Sequence, residues 1–305
     1  MNESYTTGLV SVIIPTYRRA ERLTRAVDSV LKQTYSNFEV LLINDNEPGD
    51  PFTEELQQRT EPFQHDPRFQ LIIQERHTNG AAARNVGIRR ARGEYIAFLD
   101  DDDWWEPGKL EEQVRELESL SPEWGGVSCK YTLYDRNNKV LGRTKKYRDG
   151  YIYKDILNLL SDVATGTLLL RHEALDEAGY FDETLSRHQD LQLLVFFTSK
   201  YKLKQLDRYL HCVDVSDAQN RPDPEKLIKA KKAFFKSVAP VMETLSKSDR
   251  KCIYAMHRYE LGYIYLKNGN KKKGLRCCLA VLGSPKALVA AFKKTVGKLR
   301  QIGAR

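Results

Sequence analysis

The first hundred residues alternate buried-strand and amphipathic-helix patterns, and that rhythm restricts the chain to a parallel α/β sheet. Leu9 to Ile14 is β-branched and almost wholly apolar, as a strand covered on both faces must be, and it stops at Pro15. From Arg19 to Gln33, residues Leu23, Ala26, Val27, Val30 and Leu31 recur at helical spacing with charges between them. Phe38 to Ile43 repeats the strand pattern and leads into a polar loop, Asn44-Asp45-Asn46, followed by Pro48 and Gly49. A third strand is predicted at Phe69 to Ile73, a helix at Ala81 to Ala91 and a fourth strand at Tyr95 to Leu99. Sheets of this kind bind ligands beyond the carboxyl ends of their strands. Asp45 and the run Asp100 to Asp103 both fall on that edge.

After Pro107, a residue suited to the first turn of a helix, the pattern becomes mixed. Strands are predicted at Gly126 to Leu133, Val140 to Lys146 and Thr167 to Leu170, and helices at Ile152 to Leu160 and from about Gln189 to Phe197. Two prolines within Asn220 to Pro224 mark a linker. Four helical segments follow: Glu225 to Ser246, Asp249 to Leu266, Lys271 to Leu282 and Pro285 to Leu299. The pair meeting at Asn268-Gly269-Asn270 resembles a helix hairpin of the tetratricopeptide kind, and no second unit repeats it.

Charge divides the chain in the same place. Residues 216–305 hold 21 Lys or Arg against 6 Asp or Glu, a net of +15, whereas the remainder stands at −7. Such a basic surface suits nucleic acid, an anionic membrane or plain solvent. It lacks the interleaved basic and aromatic residues of a nucleic-acid motif, so no nucleic-acid partner is expected. Cys277 to Gly283 and Ala287 to Phe292 are apolar stretches surrounded by lysines. Peripheral membrane contact through 271–305 is therefore one expectation, and a helical bundle covering the preceding domain is the other. The five cysteines have no metal-site spacing and read as free thiols, and Leu9 to Ile14 is too short for a signal core or a span. The expected location is cytoplasmic, with the inner face of the membrane as the place of any surface contact.

Four consecutive carboxylates repel one another unless positive charge lies among them. A solvated acidic loop capping the next helix is one way to arrange that. A divalent cation is another, because Mg²⁺ or Mn²⁺ takes oxygen ligands and commonly needs only one or two protein carboxylates. The run is anchored between the strand GEYIAFL and Trp104-Trp105-Glu106-Pro107, which favours the cation.

The segments SVIIPTYRR, FEVLLINDNEPGD, NGAAARNVGIRRARGEYIAFLDDDDWWEPGKL and AGYFDETLSRHQDLQLLVF, in that order, resemble the family 2 glycosyltransferases of GT-A fold over roughly Val10 to Phe197. The resemblance implies a Rossmann-like nucleotide-binding α/β domain, with a mostly parallel central sheet flanked by helices and a C-terminal α-helical extension. Residues 1–218 would form that domain, with a donor-binding half at about 1–120 and an acceptor half at about 121–218, and 219–305 the basic helical region. Pro15, Thr16 and Tyr17 would border the nucleotide base, and Asp45 would accept a hydrogen bond from it, usually uracil. Arg84 and Asn85 would lie near the donor. Asp100 and Asp101 would share the ribose and diphosphate, in an order the uninterrupted run leaves open, and Asp102 would hold the Mn²⁺ or Mg²⁺. Asp103 would support them.

Asp190 occupies the position of the catalytic carboxylate, in Gln189-Asp190 where the family has Glu-Asp. His188, two residues earlier, is a further candidate for contact with donor or acceptor. The implied reaction is inverting transfer of a sugar from a nucleotide-sugar, a UDP-sugar above all, to a hydroxyl of a carbohydrate or lipid-linked glycan. A sugar nucleotidyltransferase would need a glycine-rich loop after the first strand, which PTYRRAERL lacks. A non-catalytic binding module on the same scaffold is the other alternative, and Asp45, Asp102 and Asp190 speak against such decay.

Overall fold

The computed structural model describes residues 5–145, 148–216 and 223–302. Its amino-terminal half contains β1 (Thr6–Thr16), α1 (Ala20–Leu31), β2 (Phe38–Asn44), α2 (Pro51–Thr60), β3 (Phe69–Ile73), α3 (Gly80–Arg90), β4 (Gly93–Phe98), the short β5 (Trp104–Trp105) and α4 (Lys109–Ser119). Then come β6 (Trp124–Tyr134), β7 (Val140–Arg143), α5 (Tyr153–Leu157), β8 (Leu169–Arg171), α6 (His172–Ala178), α7 (Gln189–Lys200) and β9 (Lys202–Asp214). The carboxyl-terminal helices are α8 (Pro224–Ser237), α9 (Ala239–Glu243), α10 (Lys247–Lys267), α11 (Lys271–Cys278) and α12 (Pro285–Ile302), with a 3-10 segment, Leu279–Gly283, between the last two.

One sheet joins the strands in the order β3-β2-β1-β4-β8-β6-β9-β5, with β7 beside β6. The first four are mutually parallel, β8 runs against β4 and β6, and β9 lies parallel to β6. Alternation along β1 explains the layering: Val12 and Ile14 face a core shared with α1 and α4, while Ile13 faces a second core shared with α3, α7 and α8. Both faces are covered. That is why the strands read as continuous apolar runs.

Register brings the strand ends together. Thr16 pairs with Asn44, and Ile13 with Phe98, so the residues that follow β1, β2 and β4 emerge side by side.

The structure departs from the sequence reading in several places. The loop after Asn44 contains α2, capped by the Asp50 carboxylate accepting from the Phe52 amide. Helix α4 begins at Lys109, so Pro107 precedes it. The strand expected from Thr167 starts at Leu169, after a 3-10 turn at Thr165–Thr167. One helix was expected from Glu225 to Ser246, but α8 ends at Ser237 and α9 restarts with Pro240 in its first turn. Residues 220–222 of the expected linker, the 218/219 boundary and Lys146 lie outside the described residues.

The basic helices are joined to the sheet domain by a common core. Phe234, Val238, Met242 and Ile253 share one apolar cluster with Leu193 and Phe197 of α7. Helix α10 also forms a smaller cluster with α12, through Cys252, Ala255, Met256, Ala287 and Ala291.

Helix α3 comes very close to β1 at Gly87, where an added Cβ would stand 2.4 Å from Ile13 Cγ2. Ile13 is β-branched and fully buried, so it has little freedom to yield. Gly87→Ala is therefore expected to destabilise the protein by about 1–3 kcal/mol, measured by urea denaturation. An unchanged midpoint would show that this approach is not a constraint.

Candidate active site

The parallel strand ends enclose a cleft of about 370 Å³ lined by Pro15, Thr16, Tyr17, Arg19, Asp45, Gly80, Ala83, Arg84 and Asp100 to Asp102. Eight of the residues singled out from sequence meet there. Asn85, Asp103, His188 and Asp190 do not line it.

At one end Asp45 is almost completely buried. Its Oδ1 accepts from Gln74 Nε2 at 2.6 Å, the Thr78 amide at 2.9 Å and Thr78 Oγ1 at 3.0 Å. Its Oδ2 lies 3.0 Å from His77 Nδ1. The His77 ring stacks on Tyr17 with centroids 3.9 Å apart. Asp45 is thus an oriented acceptor beside an aromatic face.

The aspartate run is divided by its partners. Asp100 forms an ion pair with Arg84, and Asp101 Oδ2 accepts from Thr16 Oγ1 at 2.7 Å. Asp102 lies 2.9 Å from Arg19 Nη1. Asp103 turns to β9, accepting the Asp214 amide at 3.0 Å with His211 Nε2 3.2 Å from its other oxygen.

Their acidities follow from this. Burial pushes Asp101 up to about 6 against the opposing hydrogen bond from Thr16. Asp102 is pushed up to about 7 by burial and then by the charges of Asp103, Asp100 and Asp101, with Arg19 only partly compensating. Burial also raises Asp103. In Asp100 the guanidinium of Arg84 outweighs the cost of desolvation and holds the carboxyl low. The run carries more negative charge than its protein neighbours offset.

Arg84 is positioned by α3, one turn after the Asn79 cap that accepts from the Ala81 and Ala82 amides. Its Nη1 donates to the Gly80 carbonyl and its Nη2 meets Asp100, but its buried Nε has no hydrogen-bond partner. Arg84 lines the cleft, and its guanidinium charge suits an anionic ligand.

Asn85, on the same helix, is used differently. Its Nδ2 donates to the Phe181 carbonyl and Glu183 Oε1, and its Oδ1 accepts the Phe181 amide. Asn79 Nδ2 reaches the Glu183 carbonyl as well. Together they fasten the segment that leads to α7, whose first turn carries Asp190. Desolvation raises the Asp190 carboxyl, and Arg84 and Asp100 are both near enough to act on its charge.

His188 stands at the start of α7 with a left-handed φ of 66°. Its ring packs edge-on against Phe234 of α8, burial lowers it to about 4, and its Nε2 is enclosed without a partner. Beside it, Lys231 bridges Glu260 and His257, and Ser237 Oγ donates to Asp182 Oδ2 at 2.6 Å. The carboxyl-terminal helices thereby support the loop before Asp190.

Arg19 and His77 are the site residues that sequence reasoning missed. Arg19 sits in the same PTYRR segment as the predicted base contacts, two residues beyond Tyr17, and that proximity was the available signal. Nothing local identifies His77.

Residues 11–179 match the family model described as glycosyl transferase family 2. The chain is 31% identical over 225 residues to an uncharacterized glycosyltransferase of Rickettsia felis, covering 71% of this chain and 35% of that protein. It is 34% identical over 137 residues to the Escherichia coli UDP-Glc:alpha-D-GlcNAc-diphosphoundecaprenol beta-1,3-glucosyltransferase WfgD, covering 44% of this chain and 50% of that one. The chain thus spans about a third to a half of these relatives' length. In fold it is similar to the mannosyltransferase PcManGT of Pyrobaculum calidifontis, solved in complex with GDP-Man and Mn²⁺. The TM-score is 0.61 at 17% identity, over 95% of this chain and 79% of that one.

The raised pKa of Asp102 has a measurable consequence. Its folded value of about 7 lies above the unfolded one, so its protonated form supports the fold and that support is lost as pH rises towards 7. A neutral amide escapes this. Asp102→Asn is expected to raise the melting temperature of the ligand-free protein by roughly 2–4 °C above pH 7, with the gain disappearing below about pH 4. Thermal denaturation across that range checks it, and a loss of stability at high pH would contradict it.

Proposed function

Because this chain belongs to glycosyl transferase family 2, we propose that it transfers a sugar from a UDP-sugar to a hydroxyl of a polysaccharide or lipid-linked glycan. The observation that carries this reading is the cleft itself, where an oriented acceptor, a guanidinium and a surplus of carboxylate converge at one sheet edge. Asp45 can only accept, which suits the N3 hydrogen of uracil, and Tyr17 and His77 supply an aromatic wall for the base. The Arg84 guanidinium, on the cleft lining, would meet the diphosphate.

The excess charge at Asp102 fits a divalent cation. Among the described residues no three His, Cys, Asp or Glu side chains group closely enough to hold a metal. Asp102 would therefore hold Mn²⁺ or Mg²⁺ with the donor's phosphates completing the coordination. When bound there, such an ion stabilises charge on the departing nucleoside diphosphate. Asp100 and Asp101 would meet the ribose and diphosphate, and Asp103 would brace the run through β9.

Asp190 takes the proton of the acceptor hydroxyl as the oxygen bonds to the anomeric carbon and the bond to the diphosphate breaks. Burial raises its pKa, which makes its carboxylate a stronger base than that of a free aspartate. A single base and a direct displacement invert the anomeric centre, through an oxocarbenium-like transition state. Asn85 and His188 position this carboxylate from either side of its loop. The relative acting on a diphosphoundecaprenol acceptor supports a lipid-linked glycan here.

Asp190→Asn is expected to slow release of UDP from a UDP-sugar, with Mn²⁺ and acceptor present, by about 10²–10⁴-fold while leaving UDP binding unchanged. Undiminished turnover would remove Asp190 from the chemistry. Donor binding without turnover in the unsubstituted protein, whatever the acceptor, would favour a non-catalytic binding module.

A further inference from the structure

Over residues 285–295, helix α12 packs its small side chains inward and its large apolar ones outward. Ala287, Ala290 and Ala291 are buried against α10, whereas Leu288 is 49% exposed, Val289 55% and Phe292 69%. The preceding segment does the same: Leu275, Leu279 and Leu282 recur along α11 and the 3-10 turn, each more than half exposed. A helix that ended its packing at solvent would be patterned the other way. Exposed apolar side chains concentrated in one region mark a surface that is covered in use.

Charge identifies what covers it. Residues 261–305 include 11 Lys or Arg and no Asp or Glu. Lys271, Lys272, Lys273, Arg276 and Lys293 are exposed around the apolar side chains. The carboxylates of α10 are Asp249, engaged by Lys286 at 2.6 Å and by Lys154, and Glu260, engaged by Lys231, so neither adds free negative charge to this region. We propose that the α11–α12 face docks on an anionic lipid surface, with its leucines and Phe292 entering the headgroup boundary and its lysines meeting lipid phosphates. Apolar insertion and basic attraction together are the requirements of an interfacial helix. A second copy of this chain would set one basic rim against another. Nucleic acid would leave the leucines and Phe292 without a partner. Among the described residues no helix is long and apolar enough to cross a membrane, so this contact is at the surface.

The test is co-sedimentation of the full chain with phosphatidylcholine vesicles, with and without phosphatidylglycerol. Binding is expected only to the anionic vesicles and is expected to weaken as salt shortens the range of the charges. Leu282→Glu with Phe292→Glu, and separately Lys272→Glu with Lys273→Glu, are each expected to reduce the bound fraction at least about tenfold. These residues are exposed and remote from the cleft residues in sequence, so turnover of UDP-sugar in solution reports that the variants fold. The proposal is overturned if the unsubstituted protein stays in solution, or if the variants sediment undiminished. Self-association abolished by Phe292→Glu, without vesicle binding, would assign the face to a second copy and likewise overturn it. Vesicle binding and UDP-sugar turnover are independent readouts, so failure of either leaves the other standing.

Discussion

Mutual repulsion within Asp100 to Asp103 is the constraint around which the amino-terminal half is arranged. Four adjacent carboxylates persist because each is given to a different neighbour: Arg84, Thr16, Arg19 and the β9 edge with His211. Those neighbours come from three separate parts of the chain: the end of β1, α3 and β9. The arrangement therefore depends on β1, β4, α3 and β9 all being in register. It also stops short of neutrality, as the raised pKa values of Asp101 and Asp102 record. A strand end in this condition carries an electrostatic cost, which under the proposed function a cation brought with the donor would relieve.

The remainder of the fold fixes where that charge meets the reacting groups. Gly87 lets α3 lie against Ile13, which sets the depth of Arg84 three residues earlier. Asn79 and Asn85, from the same helix, hold the segment before α7 and so relate Asp190 to Arg84. From the opposite side, Phe234 and the Lys231, His257 and Glu260 group press on His188. The carboxyl-terminal helices are thus part of the framework of the candidate base, in addition to presenting a basic surface.

The amino-terminal half was legible because doubly covered parallel strands must be largely apolar, and the central parts of β1, β2, β3 and β4 are. The missed strand β9 has the opposite character. Lys202, Lys204, Gln205, Asp207 and Arg208 interrupt it, because it runs near the edge of the sheet and only part of it is buried. Helix α2 had a readable start in Asp50-Pro51, but the preceding Pro48 and Gly49 look equally like a loop. For the site, the aspartates and Arg84 were visible as motif positions. The part played by Asn85 in holding the 181–183 segment was not, since its partners lie almost a hundred residues away. Arg19 and His77 belong to the same class, for their importance comes from what the fold places opposite them.

The central claim is that Asp102 and a nucleoside diphosphate hold a divalent cation jointly. Electron paramagnetic resonance of free Mn²⁺ tests it directly. The account predicts that the protein alone takes up little Mn²⁺, that adding UDP removes about one equivalent from solution, and that Asp102→Ala abolishes the UDP-dependent uptake. Uptake independent of UDP, or unchanged in Asp102→Ala, would contradict it.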